Sequence, residues 1–218
     1  MRTRQNKANW LDRLKSASLE LEIEAADCEG AAIEKADNER ADKEAGNRDG
    51  QTLIPAAVLL AFHPGKDGVN LVLTRRTAHL PTHKGEIALP GGKAIHADKD
   101  RVATALRETH EEIGVEVDKI SVIGQLPPHP TGSGFLITPI TAWLTPPIRF
   151  KKQQSEVAEI FEVPLDHLSN PKNYQRQTVV IAGEPRKFWI LPYKNYKIWG
   201  ATAAILIDLA NRLSKARV

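Results

Sequence analysis

Three carboxylates lie within five residues, at Glu108, Glu111 and Glu112, downstream of a glycine pair, Gly91 and Gly92. In a helix, spacings of i, i+3 and i+4 bring all three carboxylates to one face. Like charges placed in this way repel one another and cost stability unless a cation lies among them. A divalent ion that prefers oxygen ligands is the natural cation, so the spacing favours a site for Mg²⁺ or Mn²⁺.

A solvated acidic helix face is the alternative explanation of this spacing, with an i, i+4 ion pair from Arg107 to Glu111. Three features favour the metal. Gly91 and Gly92 permit the backbone to approach a metal or a phosphate closely. The helix follows this glycine loop directly. Arg107 can hold one carboxylate in a fixed rotamer by a two-pronged contact. Metal and phosphate chemistry together predict hydrolysis of a phosphoanhydride.

The helix that carries the carboxylates is expected to run from Lys99 or Asp100 to Ile113. Asp98 or Asp100 can cap its N-terminus, and Gly114 is expected to end it in the left-handed conformation. A mostly apolar face should pack on the sheet. This face comprises Ala103, Leu106, His110 and Ile113.

The rest of the body alternates strands with few helices. Strands are expected at 55–62, 69–74, 86–89, 120–126 and 136–144, a strand with a following helical turn within 155–168, a hairpin from 178–181 and 187–191, and an amphipathic helix at 201–213. Strands interleaved with only two strong helices favour an α+β fold, in which a mixed sheet lies between helical layers.

The first fifty residues differ from the body. They are net acidic, whereas the remainder is net basic, and from residue 25 to 51 they hold almost no large apolar side chain. We therefore predict a helical, charged N-terminal extension (1–50) and a globular domain (51–218). The extension is interpreted as an appendage or a dimer-contact helix, with a regulatory role as the less favoured alternative.

Composition narrows the class of protein. With 218 residues, 41% hydrophobic and 26% charged, the chain is typical of an ordinary globular protein. A single cysteine, Cys28, excludes an intramolecular disulfide. No apolar run approaches the ~20 residues of a membrane span, and no secretory signal is present, so a cytoplasmic location is expected. The net charge of +3 suits a small polyanionic ligand but, without a basic stripe, not nucleic acid.

The segment ending at Val115 resembles the Nudix box of the Nudix hydrolases, G-x5-E-x7-R-E-U-x-E-E-x-G-U. The matching residues are Arg107, Glu108, Glu111, Glu112, Gly114 and Val115. Thr109 stands where an aliphatic residue is usual. Lys93 and Lys99 occupy the positions of the first glycine and the first glutamate, so that only Asp98 and Asp100 offer an acid nearby.

The preceding segment, 73–92, resembles the signature of the coenzyme A pyrophosphatase branch, L-L-T-x-R-S-x-x-L-x-x-H-x-G-x-[IV]-x-F-P-G-G. The aligned residues are Leu73, Thr74, Arg76, Leu80, His83, Gly85, Ile87, Pro90, Gly91 and Gly92. Thr77 replaces Ser and Leu89 replaces Phe. That branch also carries an aspartate-bearing loop similar to HADKD. The resemblance extends over about 53–213 and does not cover residues 1–50.

This resemblance implies a Nudix α/β/α sandwich with a central mixed β-sheet. It also implies Mg²⁺- or Mn²⁺-dependent hydrolysis of the pyrophosphate of coenzyme A or acyl-CoA to 3′,5′-ADP and (acyl-)4′-phosphopantetheine. One alternative is a Nudix diphosphatase for ADP-ribose or NADH. Another is a Nudix-fold binding module without turnover, which the retention of all three box glutamates disfavours. The expected partner is a small molecule, not nucleic acid or a membrane, and the chain is expected to be a monomer or a homodimer.

Roles follow for the residues around the box. Glu108 and Glu112, one turn apart, are the first choice as metal ligands; Glu111 is a third ligand or a base, and the Gly92 carbonyl could complete the shell. The residues assigned to substrate are Arg76, whose fork fits a phosphate, Arg75 on the opposite side of the strand, His83, Gly91 and Gly92. The water-activating base stays open among Glu111, Glu156, Glu159, Glu162 and His129.

Overall fold

The computed structural model describes residues 2–19, 52–79, 84–181 and 184–215. Within them the elements run in the order α1 (Arg2–Ala17), β1 (Ile54–Pro64), β2 (Val69–Arg76), β3 (Ile87–Ala88), β4 (Gly91–Lys93), α2 (Arg101–Ile113), β5 (Ile120–Gln125), β6 (His129–Pro130), β7 (Phe135–Leu144), β8 (Val157–Pro164), α3 (Leu165–Leu168), β9 (Gln175–Ile181), β10 (Glu184–Tyr193), β11 (Tyr196–Trp199) and α4 (Gly200–Lys215). Short 3₁₀ turns at Val117–Lys119 and Pro171–Asn173 complete the order.

The main sheet has the order β3-β2-β1-β7-β5, with β4 paired to β1, β6 to β7 and β8 to β2. The central pair, β1 with β7, is parallel, and the neighbouring pairs are antiparallel, so the sheet is mixed. A second, antiparallel sheet has the order β11-β10-β9. It extends the hairpin expected from the sequence by one strand.

Alternation along β1 builds two cores, one on each face of the sheet. Leu60 and Phe62 join the core that α1 and α4 cover, whereas Leu59 and Ala61 join the core that α2 covers. A strand buried on both faces needs a near-continuous apolar run, which β1 has. The α+β class and the α/β/α sandwich with its mixed sheet are confirmed.

Helix α1 contributes side chains to one of these cores. Trp10 and Leu14 are buried in the cluster that contains α4. After the helix, Leu19 exchanges backbone hydrogen bonds with Gln125 at the end of β5, at 2.8 and 3.2 Å. The predicted extension from 20 to 50 lies outside the described residues, and the division of the chain at residue 50 stays a prediction.

The ends of α2 agree with the capping residues expected. The Asp100 carboxylate accepts a hydrogen bond from the Ala103 amide at 2.6 Å. Gly114 adopts φ 68° and donates its amide to the His110 carbonyl at 2.9 Å, which closes the helix in the left-handed conformation.

The face of α2 predicted to pack on the sheet was wrong in part. Ile113 is buried and Leu106, although half-buried, packs against the core as predicted, whereas Ala103 is half-buried and His110 is exposed. The buried side chains are Thr104, Ala105, Thr109, Glu112 and Ile113. The buried face is therefore rotated toward Glu112 relative to the face that the larger apolar residues suggested.

The third strand expected, 86–89, is found as the shorter β3, and a strand that the sequence analysis did not predict, β4, follows it. After β3 the chain turns at Leu89 and Pro90, whose carbonyl accepts the Leu59 amide at 2.7 Å, and β4 then pairs with β1. The glycine pair therefore belongs to the sheet. Among the described residues no helix is long and apolar enough to cross a membrane.

Candidate active site

Strand β4 brings the glycine pair against β1 and beneath α2. Gly91 pairs with Val58 and Gly92 with Ala57. A Cβ at Gly91 would collide with the backbone of β1, and a Cβ at Gly92 would lie 2.5 Å from the carboxyl carbon of Glu108. Glycine is therefore required at both positions if the carboxylates of α2 are to reach this strand.

Glu112 is a buried carboxylate with weak compensation. It is 5% exposed. One oxygen accepts the Gly91 amide at 3.3 Å, and the other lies 3.9 Å from Nη1 of Arg76. Burial raises the pKa of Glu112 to about 8 although the Gly91 amide and the Arg76 charge lower it, and the charges of Glu108 and Glu156 raise it further. The group therefore favours a proton, or another cation, at neutral pH.

The other two box glutamates differ in their surroundings. Glu108 accepts Nη1 of Arg107 at 2.9 Å, and burial raises its pKa against the opposing effect of that arginine. Glu111 accepts the same nitrogen at 3.2 Å and has a side chain that is 54% exposed. Glu108 and Glu112 thus lie toward the glycine strand, and Glu111 lies at the rim. Within the described part of the chain, no three His, Cys, Asp or Glu side chains converge closely enough to hold a metal ion as they stand.

Arg107 makes its two-pronged contact with Asp98 in the preceding loop and not with a glutamate of the helix. Its Nε and Nη2 donate to the two Asp98 oxygens at 2.9 Å each. Asp98 also accepts the Thr104 hydroxyl at 2.9 Å and the Ile95 amide at 3.1 Å. The Arg107 hydrogen bonds hold the pKa of Asp98 well below its usual range, and Asp98 raises that of Arg107. We call Asp98, Thr104, Arg107 and Glu111 the Arg107 network.

The residues assigned to substrate separate into three cases. Arg76 points toward Glu112, and its Nε is buried with no hydrogen-bond partner among the described residues. Arg75 faces the other way and pairs with Glu159 at 2.9 Å, so it is not brought to the glutamates. His83 lies outside the described residues. We call Arg76, Gly91, Glu108 and Glu112 the Glu112 pocket.

Comparison with known proteins decides the family. The NUDIX domain family matches residues 53–182, more than half of the chain. This chain belongs to the Nudix family. It is 40% identical over 158 residues to the "Uncharacterized Nudix hydrolase NudL" of Photorhabdus laumondii, which covers 72% of this chain and 84% of that protein. It is 33% identical over 168 residues to the protein of the same name from Escherichia coli K12, at 75% and 85% coverage.

Solved structures with the Nudix fold are more distant. The MutT protein from Methanosarcina mazei Go1 has a TM-score of 0.46 and 19% identity, and the match covers 77% of this chain and 96% of that one. The NUDIX domain of Shewanella oneidensis NrtR, complexed with ADP ribose, has a TM-score of 0.42 and 18% identity, covering 57% and 82%.

Asp98 is a site residue of this Nudix chain whose contact the sequence analysis did not assign. The Nudix box expects a glutamate at position 99, where this chain has lysine. The structure has Asp98, one residue earlier, in a two-pronged pair with the box arginine. The aspartates of HADKD were the available signal, but spacing alone could not separate Asp98, which pairs with Arg107, from Asp100, which caps α2.

The turn after β7 closes over the C-terminal end of the Nudix helix. The amides of Lys151 and Gln153 donate to the carbonyls of Ile113 and Glu112, at 2.8 and 2.9 Å. These bonds satisfy helix carbonyls that have no partner within the helix. At the end of the turn, the Glu156 carbonyl accepts the Thr77 amide at 2.9 Å. Glu156 is thereby held next to the end of β2, and its charge raises the pKa of both Glu108 and Glu112.

The other base candidates have different surroundings. Glu159 is engaged by Arg75 and by the Tyr196 hydroxyl, at 2.9 and 2.7 Å. The Glu162 carboxylate accepts a hydrogen bond from the side-chain amide of Asn70 at 2.6 Å and lies 3.3 Å from Nε2 of His63. His129 lines a cavity beside α4, on the other side of the sheet from α2. Glu156, by contrast, is among the charges that raise the pKa of both inner glutamates of the box.

Proposed function

We propose that this Nudix hydrolase cleaves the pyrophosphate of coenzyme A or acyl-CoA to 3′,5′-ADP and (acyl-)4′-phosphopantetheine, using Mg²⁺ or Mn²⁺. The single observation that carries the hydrolase part is Glu112, a buried carboxylate with two long contacts beside a strand of glycine. Buried charges of this kind are paired or bind metal. The substrate part is supported by segment 73–92, which resembles the coenzyme A pyrophosphatase signature and ends at this glycine strand.

The residues present fit a divalent ion. Glu112 and Glu108 would hold it, with the Gly92 carbonyl, because a glycine at 92 leaves no side chain between the carboxylate and the backbone. Glu111 would not be a direct ligand, since its side chain lies at the rim and is 54% exposed, whereas that of Glu108 is 17% exposed and lies against Gly92. When bound, the ion supplies charge neutralisation for the phosphate oxygens and makes a bound water more acidic.

Arg76 would bind an oxygen of the diphosphate. Its guanidinium already lies 3.9 Å from Glu112, and its Nε has no partner among the described residues. A guanidinium offers a planar fork of donors that matches phosphate geometry. The Arg107 network would act differently, by fixing the loop at Asp98 to α2 so that the two inner glutamates keep their positions.

Glu156 is our choice for the water-activating base. It has no hydrogen bond or ion pair through its carboxylate among the described residues, whereas Glu159 and Glu162 are engaged. An unengaged carboxylate beside two ligand carboxylates can accept the proton of the attacking water. The water oxygen bonds to one phosphorus, the bridging P–O bond breaks, and the second phosphate leaves with the bond electrons.

The test is hydrolysis of CoA, ADP-ribose and NADH by the full chain, with and without Mg²⁺ or Mn²⁺, and with products identified by mass. We expect CoA to give 3′,5′-ADP and 4′-phosphopantetheine faster than the other two compounds react, and only with metal. Faster turnover of ADP-ribose or NADH would contradict the substrate assignment. Binding of all three without products would favour a module that does not turn over.

A further inference from the structure

A cavity of about 520 Å³ opens beside α4, between that helix, the β9–β10 hairpin and the loop before β7. Its size lies within the range of small-molecule sites, roughly 300–1,000 Å³. The polar and aromatic side chains that line it include Arg176, Lys187, Trp189, Asp208 and Asn211. None of them belongs to the Glu112 pocket or to the Arg107 network, and α2, which carries the box glutamates, covers the opposite face of the sheet.

One wall of the cavity comes from the alternation of β10. Lys187, Trp189 and Leu191 lie on one face of this strand. Leu191 is buried in the core to which α4 contributes. Lys187 and Trp189, on the same face of the strand but beyond this core, line the cavity. Arg176 is the cross-strand partner of Trp189, and its guanidinium carbon lies 4.1 Å from the centre of the indole ring.

The opposite wall is a stripe of α4. Ala201, Ala204, Asp208 and Asn211 recur every three or four residues and therefore share one helix face. The two alanines leave space, whereas Asp208 and Asn211 present polar groups. The Asp208 carboxylate accepts a hydrogen bond of 2.8 Å from Nε of Arg212, which fixes the carboxylate in place.

The charges of the two walls suit an anion that carries a flat polar ring. Arg176 and Lys187 are exposed, and no ion pair to either is found among the described residues. A guanidinium that stacks on an indole keeps its N–H edge open, and this edge matches a phosphate. Asp208 and Asn211 offer an acceptor and a donor on the far wall, as the edge of a nucleobase requires. A nucleoside phosphate combines these properties.

Strand pairing fixes the distance between the cavity and the glycine strand across the sheet. His129 pairs with Ile137, Ile137 with Ala56, and Ala56 with Lys93, so cavity and glycine strand share one row of residues. Three strand spacings separate the ends of this row by about 14 Å. A nucleotide with its diphosphate can span such a distance. In addition, the Thr202 hydroxyl at the start of α4 donates to the Ile87 carbonyl at 3.1 Å, just before the glycines.

We propose that this cavity binds the adenosine 3′,5′-bisphosphate end of the substrate while the diphosphate lies at the glycine strand. The naming of this nucleotide rests on the proposed function. The phosphate at the 3′ position lies against Arg176 and Lys187, and the base lies toward Asp208 and Asn211. The cavity is therefore the part of the molecule that selects the nucleotide.

The experiment is a titration of the full chain with 3′,5′-ADP. Binding is measured by calorimetry and by the change in the fluorescence emission of Trp189. We expect Arg176→Gln and Lys187→Gln each to weaken binding about tenfold, the effect of losing one charge-assisted hydrogen bond. Lys66→Gln is the matched control, because Lys66 is exposed in the turn between β1 and β2. Trp189→Phe should remove the emission change while circular dichroism shows an intact fold.

Two further ligands, 5′-AMP and inorganic phosphate, sharpen this test. Weaker binding of 5′-AMP supports a site for the 3′-phosphate. If inorganic phosphate binds as tightly as 3′,5′-ADP, the cavity is an anion site only and the nucleotide assignment is wrong. If CoA is hydrolysed but Arg176→Gln and Lys187→Gln bind 3′,5′-ADP like the wild type, the cavity proposal fails alone. If CoA is not hydrolysed but binding depends on Arg176 and Lys187, the proposed function fails and the cavity assignment stands.

Discussion

The Arg107 network and the Glu112 pocket both include residues of α2, and each sets a carboxylate near an arginine. The pKa of the carboxylate is shifted in opposite directions in the two regions. In the Arg107 network, Asp98 receives two hydrogen bonds of 2.9 Å from Arg107, and its pKa is lowered. In the Glu112 pocket, the nearest guanidinium nitrogen, from Arg76, lies at 3.9 Å, and the pKa of Glu112 is raised to about 8. The two carboxyl groups have similar pKa values in solution, so burial and the geometry of the partners create the difference.

This difference separates a carboxylate that is well paired within the protein from one that is weakly paired. A pair with good geometry repays much of its desolvation and fixes the loop to the helix. A buried carboxylate that is poorly compensated costs stability and is retained where it has another use, which is why strongly shifted pKa values cluster at functional sites. We therefore propose a structural role for Arg107 and a chemical role for Glu112, and each role can be tested.

The largest expected effect is that of Glu112→Gln on turnover. We expect the metal-dependent rate to fall by about 10³-fold, since an electrostatic group at the reacting centre is removed. The fold should persist, because Gln resembles the protonated glutamate that burial favours. Steady-state hydrolysis at saturating Mg²⁺ measures this. Glu116→Gln, at an exposed position after the same helix, is the matched control. A wild-type rate for Glu112→Gln would remove Glu112 from the metal site.

Next in size is the effect of Asp98→Asn on stability. We expect a loss of about 2 kcal/mol in the free energy of unfolding at pH 7, since charge-assisted hydrogen bonds are broken. The folded pKa of Asp98 lies below its unfolded value, so its contribution is present above about pH 4 and lost as the pH falls. Urea unfolding at several pH values measures both effects.

Asp118→Asn, at an exposed position after α2, serves as the control for Asp98→Asn. The wild type and this control should lose stability in parallel on acidification, whereas Asp98→Asn should lose less because it lacks the titrating group. Parallel curves for all three proteins would show that the Asp98 pair contributes nothing.

Smaller, but opposite in sign, is the pH dependence of the Glu112 pocket. The folded pKa of Glu112 is raised from 4.5 to about 8, so in the metal-free protein its contribution to stability is present below about pH 4.5 and lost as the pH rises toward 8. Metal must displace the proton. We therefore expect the Mn²⁺ affinity to rise about tenfold per pH unit between pH 6 and 8, with proton release measured by calorimetry in two buffers. Binding without proton release would contradict the raised pKa.

Local sequence signals predicted the parts of this site that depend on neighbours in the chain. Asp100 and Gly114 cap α2 as their types require, and the near-continuous apolar run of β1 fits a strand buried on both faces. The spacing of Glu108, Glu111 and Glu112 identified the helix face, and the one-turn separation of Glu108 and Glu112 singled out these two as the first choice of metal ligands. In the structure these two lie toward the glycine strand, and Glu111 lies at the rim.

Contacts between distant segments were beyond the sequence. The buried face of α2 includes Ala105 and Thr109, whereas apolar periodicity gave more weight to Leu106 and His110. The cavity beside α4 is built by strand pairing that joins Arg176 to Trp189, which no spacing in the chain reveals. Tertiary packing thus decided which polar groups are compensated and which are left for a ligand.

The smallest effect concerns Thr109, a neutral group on the buried face of α2. It is fully buried, and its hydroxyl has no hydrogen-bond partner among the described residues. Thr109→Val keeps the shape and removes this uncompensated group, so we expect about 1 kcal/mol of added stability and unchanged turnover. Thr104→Val is the matched control on the same helix, because the Thr104 hydroxyl donates to Asp98 at 2.9 Å and its loss should destabilise. If the two variants change the free energy of unfolding equally, hydrogen bonding of buried polar groups does not set the stability of this helix. The contrast between Asp98 and Glu112 depends on the same effect.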